Sequence, residues 1–325
     1  MGKQYRWGIL GAGRIAEKFC TALSYTQGSS VYAVASRDLT RAKDYVHRHG
    51  GVIAYDNYEA LMDDDDIDII YIATPHVFHF EHTMACLQKG KAVLCEKPMS
   101  LTYAQTSEMI TAAKKAGVFL MEGMWTACMP FIEKIQSLIA AGSIGIPKYV
   151  AADFGFTSTP DPTSRLYDKK LGGGALMDIG IYPLSLATIL FGEPTEVKMV
   201  AKLTESGVDE FMNMVLKYPG GETAHLLSTI SFNTEIEATI IGSEGKIKIA
   251  NPWFKATDFS LHTNDGKVEQ FSIPHGSNGF EHEIREVMTC LDKGLLESEK
   301  WPHHLTLTVS RLMDDALQQV GVRYP

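Results

Sequence analysis

The sequence lacks several features that would assign it to specialised classes of protein. No apolar run approaches the roughly 20 residues that a membrane-spanning helix requires. Residues 1–7 lack the apolar core of a secretory signal peptide. The five cysteines show neither paired nor metal-type spacing, which is typical of a protein from a reducing cytosol. We therefore expect a soluble, cytoplasmic protein.

Basic residues are also scarce, since 30 Lys and Arg stand against 39 Asp and Glu, for a net charge of -9. Nucleic acids and membrane surfaces attract basic patches, so neither is expected as a partner. What the sequence has is ordinary for a globular protein, with 45% hydrophobic and 21% charged residues. The length of 325 residues predicts about two domains.

A glycine motif follows the first predicted strand, residues 7–10. Residues 11–16 have the pattern G-x-G-x-x-A in the strand–turn–helix context of dinucleotide-binding proteins. Gly11 makes the tight turn, Gly13 lets the backbone approach a pyrophosphate, and the helix N-terminus favours the phosphates. The candidate phosphate-binding residues are Gly11, Ala12, Gly13, Arg14 and Ile15.

The end of the second predicted strand indicates which dinucleotide binds. An NAD site usually has an acidic residue there for the ribose hydroxyls, but this chain has Ser36 and Arg37, with Arg41 one helical turn further on. Guanidinium groups suit a 2′-phosphate, so NADP is predicted, with NAD as the alternative. Asp38 weakens this prediction slightly, although it also suits the N-cap of a helix at Leu39–His49.

Polar residues follow the predicted strand 67–73 at its C-terminal end, where open α/β sheets hold their ligands. This segment reads Ala73-Thr74-Pro75-His76, and His79 lies three residues further on. The two histidines lack an accompanying Cys or carboxylate at usable spacing, so no metal site is predicted. They are expected to open a helix beside the cofactor or substrate, or else to be loop and packing residues.

Lys97 occupies the corresponding position after the next strand, residues 92–95. Glu96 precedes it, and Pro98 restricts its backbone to extended geometry. A lysine fixed at a sheet edge is a candidate proton carrier because its surroundings tune its ammonium group. The alternative is a solvated surface lysine.

The predicted elements divide into two domains. Strands alternate with helices over residues 1–122, which predicts an α/β domain with a doubly wound parallel sheet of the Rossmann type. Residues 123–325 favour long strands separated by turns, which predicts an α+β domain with a large, mostly antiparallel sheet. We expect one face of this sheet to be open to a partner subunit, and a last helix, residues 304–320, to pack back on the first domain.

Three consecutive glycines, residues 172–174, introduce a helix in the second half. Asp178 and Tyr182 are four residues apart and would share one face of that helix. A carboxylate and a phenol on an otherwise apolar face predict a polar pocket wall, or else a hydrogen-bonded pair in the core. The aromatic side chains of Trp125, Phe154 and Tyr182 suit a sugar ring or an aromatic diol.

The motifs together resemble those of the Gfo/Idh/MocA oxidoreductases over the whole chain, and most closely the dimeric dihydrodiol dehydrogenase branch, which includes NADP-dependent D-xylose dehydrogenases. The motifs that carry the resemblance are the glycine turn at Gly11, Ala73-Thr74-Pro75, Glu96-Lys97-Pro98, and the segment from Gly172 to Asp178. Much of the wider family has histidine where this chain has Tyr182, and that difference itself indicates the dihydrodiol branch.

The resemblance implies an NADP-dependent oxidoreductase that transfers a hydride between nicotinamide and a secondary alcohol of a sugar, polyol or cyclic diol. Lys97 would assist proton transfer with Tyr182 as its partner or as the acid/base itself. Asp178, Trp125, His76 and His79 would line the pocket. The resemblance also implies a cis bond before Pro98 and a homodimer formed through the open sheet face.

Two questions remain open at the level of sequence. A tyrosine has a reference pKa near 10, so either a neighbouring Lys97 ammonium lowers the pKa of Tyr182, or a neutral Lys97 takes the proton itself. The alternatives to a dehydrogenase are a dinucleotide-sensing regulator without catalysis and a redox-assisted glycosidase that retains NAD.

Overall fold

The structure of the protein is a computed structural model, and it describes residues 3–161 and 163–324. The chain forms two compact units. Unit 1 contains residues 3–125 and 275–306, and unit 2 contains the described residues of 126–274 and 307–324. The first boundary lies three residues beyond the predicted one, whereas the return of residues 275–306 to unit 1 was not predicted.

Unit 1 is built on a six-stranded parallel sheet with the strand order β3-β2-β1-β4-β5-β6. Strands β1, β4 and β5 are almost entirely buried, as expected of a sheet covered on both faces. The strands are β1 (Tyr5–Leu10), β2 (Ser29–Ala35), β3 (Ile53–Tyr55), β4 (Ile69–Ile72), β5 (Ala92–Glu96) and β6 (Leu120–Gly123).

The helices of unit 1 begin at side-chain caps in several cases. Asp38, Asn57 and Thr102 each accept backbone N–H groups of the first helical turn that would otherwise be unpaired. The helices are α1 (Arg14–Ser24), α2 (Leu39–His49), α3 (Tyr58–Met62), α4 (His79–Gln88), α5 (Tyr103–Ala116) and, from the second segment, α8 (Phe280–Asp292).

Unit 2 is built on an eight-stranded sheet in which only β7 and β10 pair in parallel among the described strand pairs. The strand order is β14-β13-β12-β11-β7-β10-β9-β8. The strands are β7 (Pro147–Gly155), β8 (Glu196–Leu203), β9 (Asp209–Lys217), β10 (Thr223–Thr229), β11 (Ala238–Gly242), β12 (Gly245–Ile249), β13 (Asp258–Thr263) and β14 (Val268–Ser272). The predicted fold class is confirmed.

One face of this sheet packs against helices and the other is exposed. A π-helical turn (Leu176–Gly180) and helix α7 (Ile181–Phe191) pack on β7, β9 and β10. On the opposite face, the hydrophobic side chains of Val200, Val215 and Ile241 are 69%, 49% and 37% exposed.

Two further helices complete the described secondary structure. Helix α6 (Pro130–Ala140) starts with proline, which has no N–H to leave unpaired. Helix α9 (His303–Gln319) matches the predicted last helix, but only its first turn belongs to unit 1. The rest belongs to unit 2, where the Gln319 side chain bonds to the backbone of Val197 and Met199. This differs from the expected packing of the whole helix on the first domain.

One helical stretch, Lys169–Phe191, is long and apolar enough to cross a membrane by length and composition alone. No membrane-spanning stretch was predicted from the sequence. About 78% of its apolar window is buried inside the structure, as is usual for a core helix, so the stretch is weak support for a membrane span.

Candidate active site

The turn after β1 is shaped by its two glycines. Gly11 has a φ of +102°, and a Cβ added there would lie 3.1 Å from the carbonyl carbon and oxygen of Ala73. A Cβ added at Gly13 would find one atom within 4 Å, the Ala73 oxygen at 3.9 Å. Gly13 immediately precedes α1, whose first residue Arg14 is exposed. The packing therefore requires Gly11, and the space above Gly13 at a helix N-terminus fits a phosphate group.

The carboxylate of Asp38 caps α2 by accepting the N–H groups of Thr40 and Arg41 at 3.0 and 3.2 Å. The predicted capping role is confirmed. Ser36 is buried, and its hydroxyl oxygen accepts the N–H of Asp38 at 3.2 Å. Arg37 and Arg41 are both exposed at this end of β2. The guanidinium groups are thus accessible, while the nearby acid is engaged with the backbone.

His79 joins two loops instead of facing a ligand. Its side chain is fully buried, with Nδ1 2.8 Å from the Pro98 carbonyl oxygen and Nε2 2.8 Å from the Thr74 carbonyl oxygen. Burial lowers the pKa of His79 to about 4, although both carbonyl oxygens oppose this shift. With both nitrogens engaged, His79 is not placed for the direct cofactor contact that the sequence predicted. It fixes the segment containing Thr74 and Pro75 to the Lys97-Pro98 segment.

His76 lies beside His79, with the two ring centroids 5.7 Å apart, and is 7% exposed. It begins a short 3-10 turn, His76–Phe78, instead of the predicted α-helix. On α4, His82 Nδ1 contacts the Thr74 hydroxyl at 3.0 Å, and burial lowers the pKa of His82 to about 4. Burial thus favours the neutral form of His79 and of His82.

Glu96 and Lys97 lie at the C-terminal end of β5. Glu96 is buried, its carboxylate contacts the Tyr71 hydroxyl, and it accepts the Lys97 N–H at 3.2 Å. Burial raises the pKa of Glu96, against the opposing effects of Tyr71 and the Lys97 charge. Lys97 is partly exposed, and the peptide bond between Lys97 and Pro98 is cis, as the resemblance implied.

Two residues that the sequence analysis missed support this segment. The fully buried carboxylate of Glu122 accepts the N–H of Met99 at 2.8 Å and the indole N–H of Trp301 at 2.9 Å. Burial raises the pKa of Glu122. A glutamate inside an apolar strand was the signal that would have indicated it. Trp125, a predicted pocket residue, stacks on Phe280 with centroids 4.4 Å apart.

Unit 2 brings Phe154, Tyr182 and Asp178 to one region. The Tyr182 ring lies 5.6 Å from Phe154 and 5.4 Å from Phe254, measured between centroids. Asp178 accepts a 2.8 Å ion-pair hydrogen bond from Arg165. Phe254 and Arg165 come from distant parts of the sequence and were not predicted. Because Asp178 lies in the π-helical turn, the α-helical spacing assumed between Asp178 and Tyr182 does not apply.

One group of three potential metal ligands occurs among the described residues. Ligand atoms of His275, Glu281 and His282 lie within 4.8 Å of one another. The Glu281 carboxylate accepts the N–H groups of Ser277 and Gly279 at 2.8 and 2.7 Å, where α8 begins. These bonds engage the Glu281 carboxylate with the backbone at the start of α8, and His275 contacts His282 at 3.2 Å. The group is separate from the Lys97 segment in the sequence.

Comparisons with known proteins agree with this arrangement. Residues 5–124 match the family model for an oxidoreductase family with an NAD-binding Rossmann fold, and residues 132–248 match the GFO/IDH/MocA C-terminal domain. The chain is 39% identical to trans-1,2-dihydrobenzene-1,2-diol dehydrogenase of Xenopus tropicalis, covering 98% of this chain and 99% of that protein. It is 36% identical to the Bos taurus protein of the same name, with 98% of each chain covered.

Two solved structures are similar over nearly the full chain. One is the 3-ketoreductase KijD10 from Actinomadura kijaniata in complex with NADP and TDP-benzene, with 27% identity, a TM-score of 0.86, and 99% and 98% coverage. The other is the aldose-aldose oxidoreductase from Caulobacter crescentus complexed with glycerol, with 27% identity, a TM-score of 0.87, and 99% and 100% coverage. The chain therefore belongs to the Gfo/Idh/MocA family of oxidoreductases.

Proposed function

We propose that the protein is an NADP-dependent dehydrogenase that oxidises a secondary alcohol of a sugar, polyol or cyclic diol. The choice of NADP as the cofactor rests on two features found together: open space beside the backbone of Gly13, and two exposed arginines, Arg37 and Arg41. A pyrophosphate fits the helix N-terminus, and a 2′-phosphate fits the guanidinium groups. Similar proteins are named trans-1,2-dihydrobenzene-1,2-diol dehydrogenase, and the similar 3-ketoreductase KijD10 was solved with NADP.

The residues proposed to hold the cofactor come from five segments of unit 1, the last of which contributes Trp125 alone. They are Gly11, Ala12, Gly13, Arg14 and Ile15; Ser36, Arg37 and Arg41; Ala73, Thr74, Pro75 and His76; and Glu96, Lys97 and Trp125. Bound NADP supplies a hydride acceptor, so that the substrate carbon loses a hydride and the alcohol becomes a carbonyl. His79 orders two of these segments through its carbonyl contacts.

The proton of the substrate hydroxyl needs a protein acceptor, and Lys97 and Tyr182 are the proposed groups. Tyr182 stands in an aromatic setting formed with Phe154 and Phe254, which suits the apolar face of a sugar ring or cyclic diol. Asp178, held by Arg165, is a fixed hydrogen-bond acceptor for a substrate hydroxyl. General acid–base residues of this kind contribute about 10²–10⁴-fold to a rate.

The test is a screen for NADPH formation with pentoses, hexoses, inositols and cyclic diols. We expect stoichiometric NADPH with members of one class, and weaker activity with NAD. Lys97→Met and Tyr182→Phe should each lose at least about a hundredfold in kcat while NADP still binds. Normal turnover by Lys97→Met would refute the proposed role of Lys97.

Two other outcomes would replace this function. Dinucleotide binding without turnover of any substrate class would indicate a regulator. Cleavage of a glycoside with retained NAD and no net reduced cofactor would indicate a redox-assisted glycosidase.

The exposed face of the eight-stranded sheet is the proposed contact for a homodimer. Val200, Val215 and Ile241 expose hydrophobic side chains there, and exposed apolar surface on one face supports a protein interface. We expect a dimer by light scattering and a monomer for Val215→Lys, which places an ammonium in that face. Exposed Glu205→Lys, outside the strands, is the matched control and should leave the mass unchanged. A wild-type monomer at working concentration would contradict the proposal.

A further inference from the structure

The turn formed by Gly172, Gly173 and Gly174 is packed too closely for a side chain at Gly173 or Gly174. A Cβ at Gly173 would lie 2.6 Å and 2.7 Å from the carbonyl oxygens of Leu166 and Arg165. Gly174 has a φ of +117°, and its N–H bonds to the Leu166 carbonyl at 2.9 Å. The backbone here is held against its neighbours, so the three glycines make a fixed turn.

Asp209, the first residue of β9, lies directly against this turn. Its side chain is fully buried, and Oδ2 accepts the backbone N–H of Leu176 at 2.7 Å. Leu176 is the first residue of the π-helical turn, and the N–H groups at such an end lack partners within the helix. A Cβ at Gly174 would collide with Asp209 Oδ1. Asp209 therefore caps the helical segment from a neighbouring strand.

Tyr324 holds the same turn at a second point. Its hydroxyl donates a 2.5 Å hydrogen bond to the Gly173 carbonyl oxygen, and it lies 3.1 Å from the position of a Cβ at Gly174. Burial, followed by the charge of Asp209, raises the pKa of Tyr324, so this hydroxyl keeps its proton. Asp209 and Tyr324 thus reach one turn from two distant parts of the sequence.

Asp209 is an unfavourable residue for a core. Burial raises its pKa to about 7, although the Leu176 hydrogen bond lowers it. Its Oδ1 has no hydrogen-bond partner in the described part of the chain. A buried polar atom without a partner costs stability, which indicates that this position serves the neighbouring site.

The segment that follows carries the proposed catalytic side chains. Asp178 lies in the π-helical turn, its N–H bonds to the Gly174 carbonyl at 3.1 Å, and Tyr182 is the second residue of α7. We propose that Asp209 and Tyr324 form a clamp on the glycine turn and are positioning residues for Asp178 and Tyr182. This inference rests on the proposed function, because the role of Asp178 and Tyr182 belongs to it.

The clamp is tested by hydrogen exchange and kinetics on the full-length protein. Asp209→Ala removes the acceptor for Leu176, so the amides of residues 174–178 should exchange at least about tenfold faster, and kcat should fall about tenfold or more. The Kd for NADP should stay within about twofold, since the glycine turn at Gly11 is untouched. Asp209→Asn keeps an acceptor oxygen for the Leu176 N–H and should restore most of both losses.

Tyr324→Phe provides a second, milder variant in case Asp209→Ala fails to fold. It removes one hydroxyl and should raise local exchange at residues 173–176 and lower kcat about threefold or more. Tyr218→Phe is the matched control, because Tyr218 is a buried tyrosine of unit 2 whose hydroxyl has no hydrogen-bond partner among the described residues. It should change neither quantity.

The outcomes separate the clamp from the proposed function. Unchanged exchange in both Asp209→Ala and Tyr324→Phe would overturn the clamp, and so would increased exchange with unchanged kcat. If the wild-type protein fails to reduce NADP with every substrate class in the screen, the proposed function is wrong. Faster exchange would then show only a structural capping role and would overturn the inference that the two residues position a catalytic site.

Discussion

The carboxylate of Asp38 accepts the backbone N–H of Arg41 at 3.2 Å. The only acid at the end of β2 in the segment 36–41 is therefore committed to a helix cap, and the side chains that face solvent there are the arginines. An acidic side chain turned toward the cofactor would repel a 2′-phosphate. Asp38 instead caps α2, the helix that presents Arg41.

The first prediction concerns cofactor choice. Arg37→Ala combined with Arg41→Ala should weaken NADP binding at least about a hundredfold, because hydrogen bonds to charged groups contribute about 1.5–3 kcal/mol each. The Kd for NAD should change less than about threefold. Lys43→Ala, an exposed cation on the same helix, is the control and should leave both Kd values nearly unchanged. Equal losses for NADP and NAD in fluorescence titrations would contradict the assignment.

The second prediction separates two glycines with positive φ. Gly11→Ala should abolish measurable NADP binding, because its methyl group would press on the backbone of Ala73. Gly50→Ala, at the end of α2, has a φ of +68° and no atom within 4 Å of the added Cβ. It should cost only about 1–2 kcal/mol of unfolding free energy, from the left-handed backbone, and leave NADP affinity intact. Calorimetric titration of both variants measures the difference.

The third prediction compares two buried histidines of α4. Near neutral pH the His79 ring carries one N–H, so His79→Leu removes one donor and a buried ring from between the carbonyls of Thr74 and Pro98, and the unfolding free energy should fall by about 1–3 kcal/mol. His82→Leu breaks one contact, with the Thr74 hydroxyl, and should cost about 1 kcal/mol. Urea unfolding measures both. A loss for His79→Leu no larger than that for His82→Leu would show that the two carbonyl contacts do not hold the loops.

The fourth prediction uses two glutamates of α8 with opposite pKa shifts. Glu283 is fully buried, neither oxygen has a hydrogen-bond partner among the residues described, and burial followed by the charge of Glu96 raises its pKa well above the usual value. Burial also acts on Glu281, but hydrogen bonds from backbone N–H groups, including those of Ser277 and Gly279, leave its pKa lowered.

These shifts give opposite dependences on pH. A raised folded-state pKa gives stability that is lost as pH rises above about 4.3, so Glu283→Gln should stabilise the protein increasingly over wild type from pH 5 upward. A lowered pKa gives stability that is present above about pH 4.3, so Glu281→Gln should be destabilising at pH 7 and less so as pH falls below 4. Thermal unfolding across pH checks both signs, and the same sign in both variants would refute the assignment.

The sequence predicted those elements of the fold that neighbouring residues mark, such as a helix that begins at a capping residue. Helix Leu39–His49 has the predicted bounds because the capping residue Asp38 marks its start. Helix α8 was not predicted because buried Glu281, Glu283 and Glu286 interrupt its apolar pattern. The same limit applies to the site. The glycine turn and Lys97 were identified from sequence because each follows a predicted strand, whereas no local pattern marks Arg165, Asp209 or Tyr324.

The cytoplasmic location stays a prediction. All five cysteines are buried and form no disulfide.

The division of unit 1 into two stretches of chain has a consequence for its synthesis. Residues 275–306 supply partners to the first stretch, including the Phe280 ring against Trp125 and the Trp301 indole at Glu122. Ribosomes add about 5–20 residues per second, so these partners emerge roughly 8–30 seconds after the first stretch is complete. The first stretch of unit 1 therefore lacks the Phe280 and Trp301 side chains of its interior until all eight strands of the unit 2 sheet have been translated.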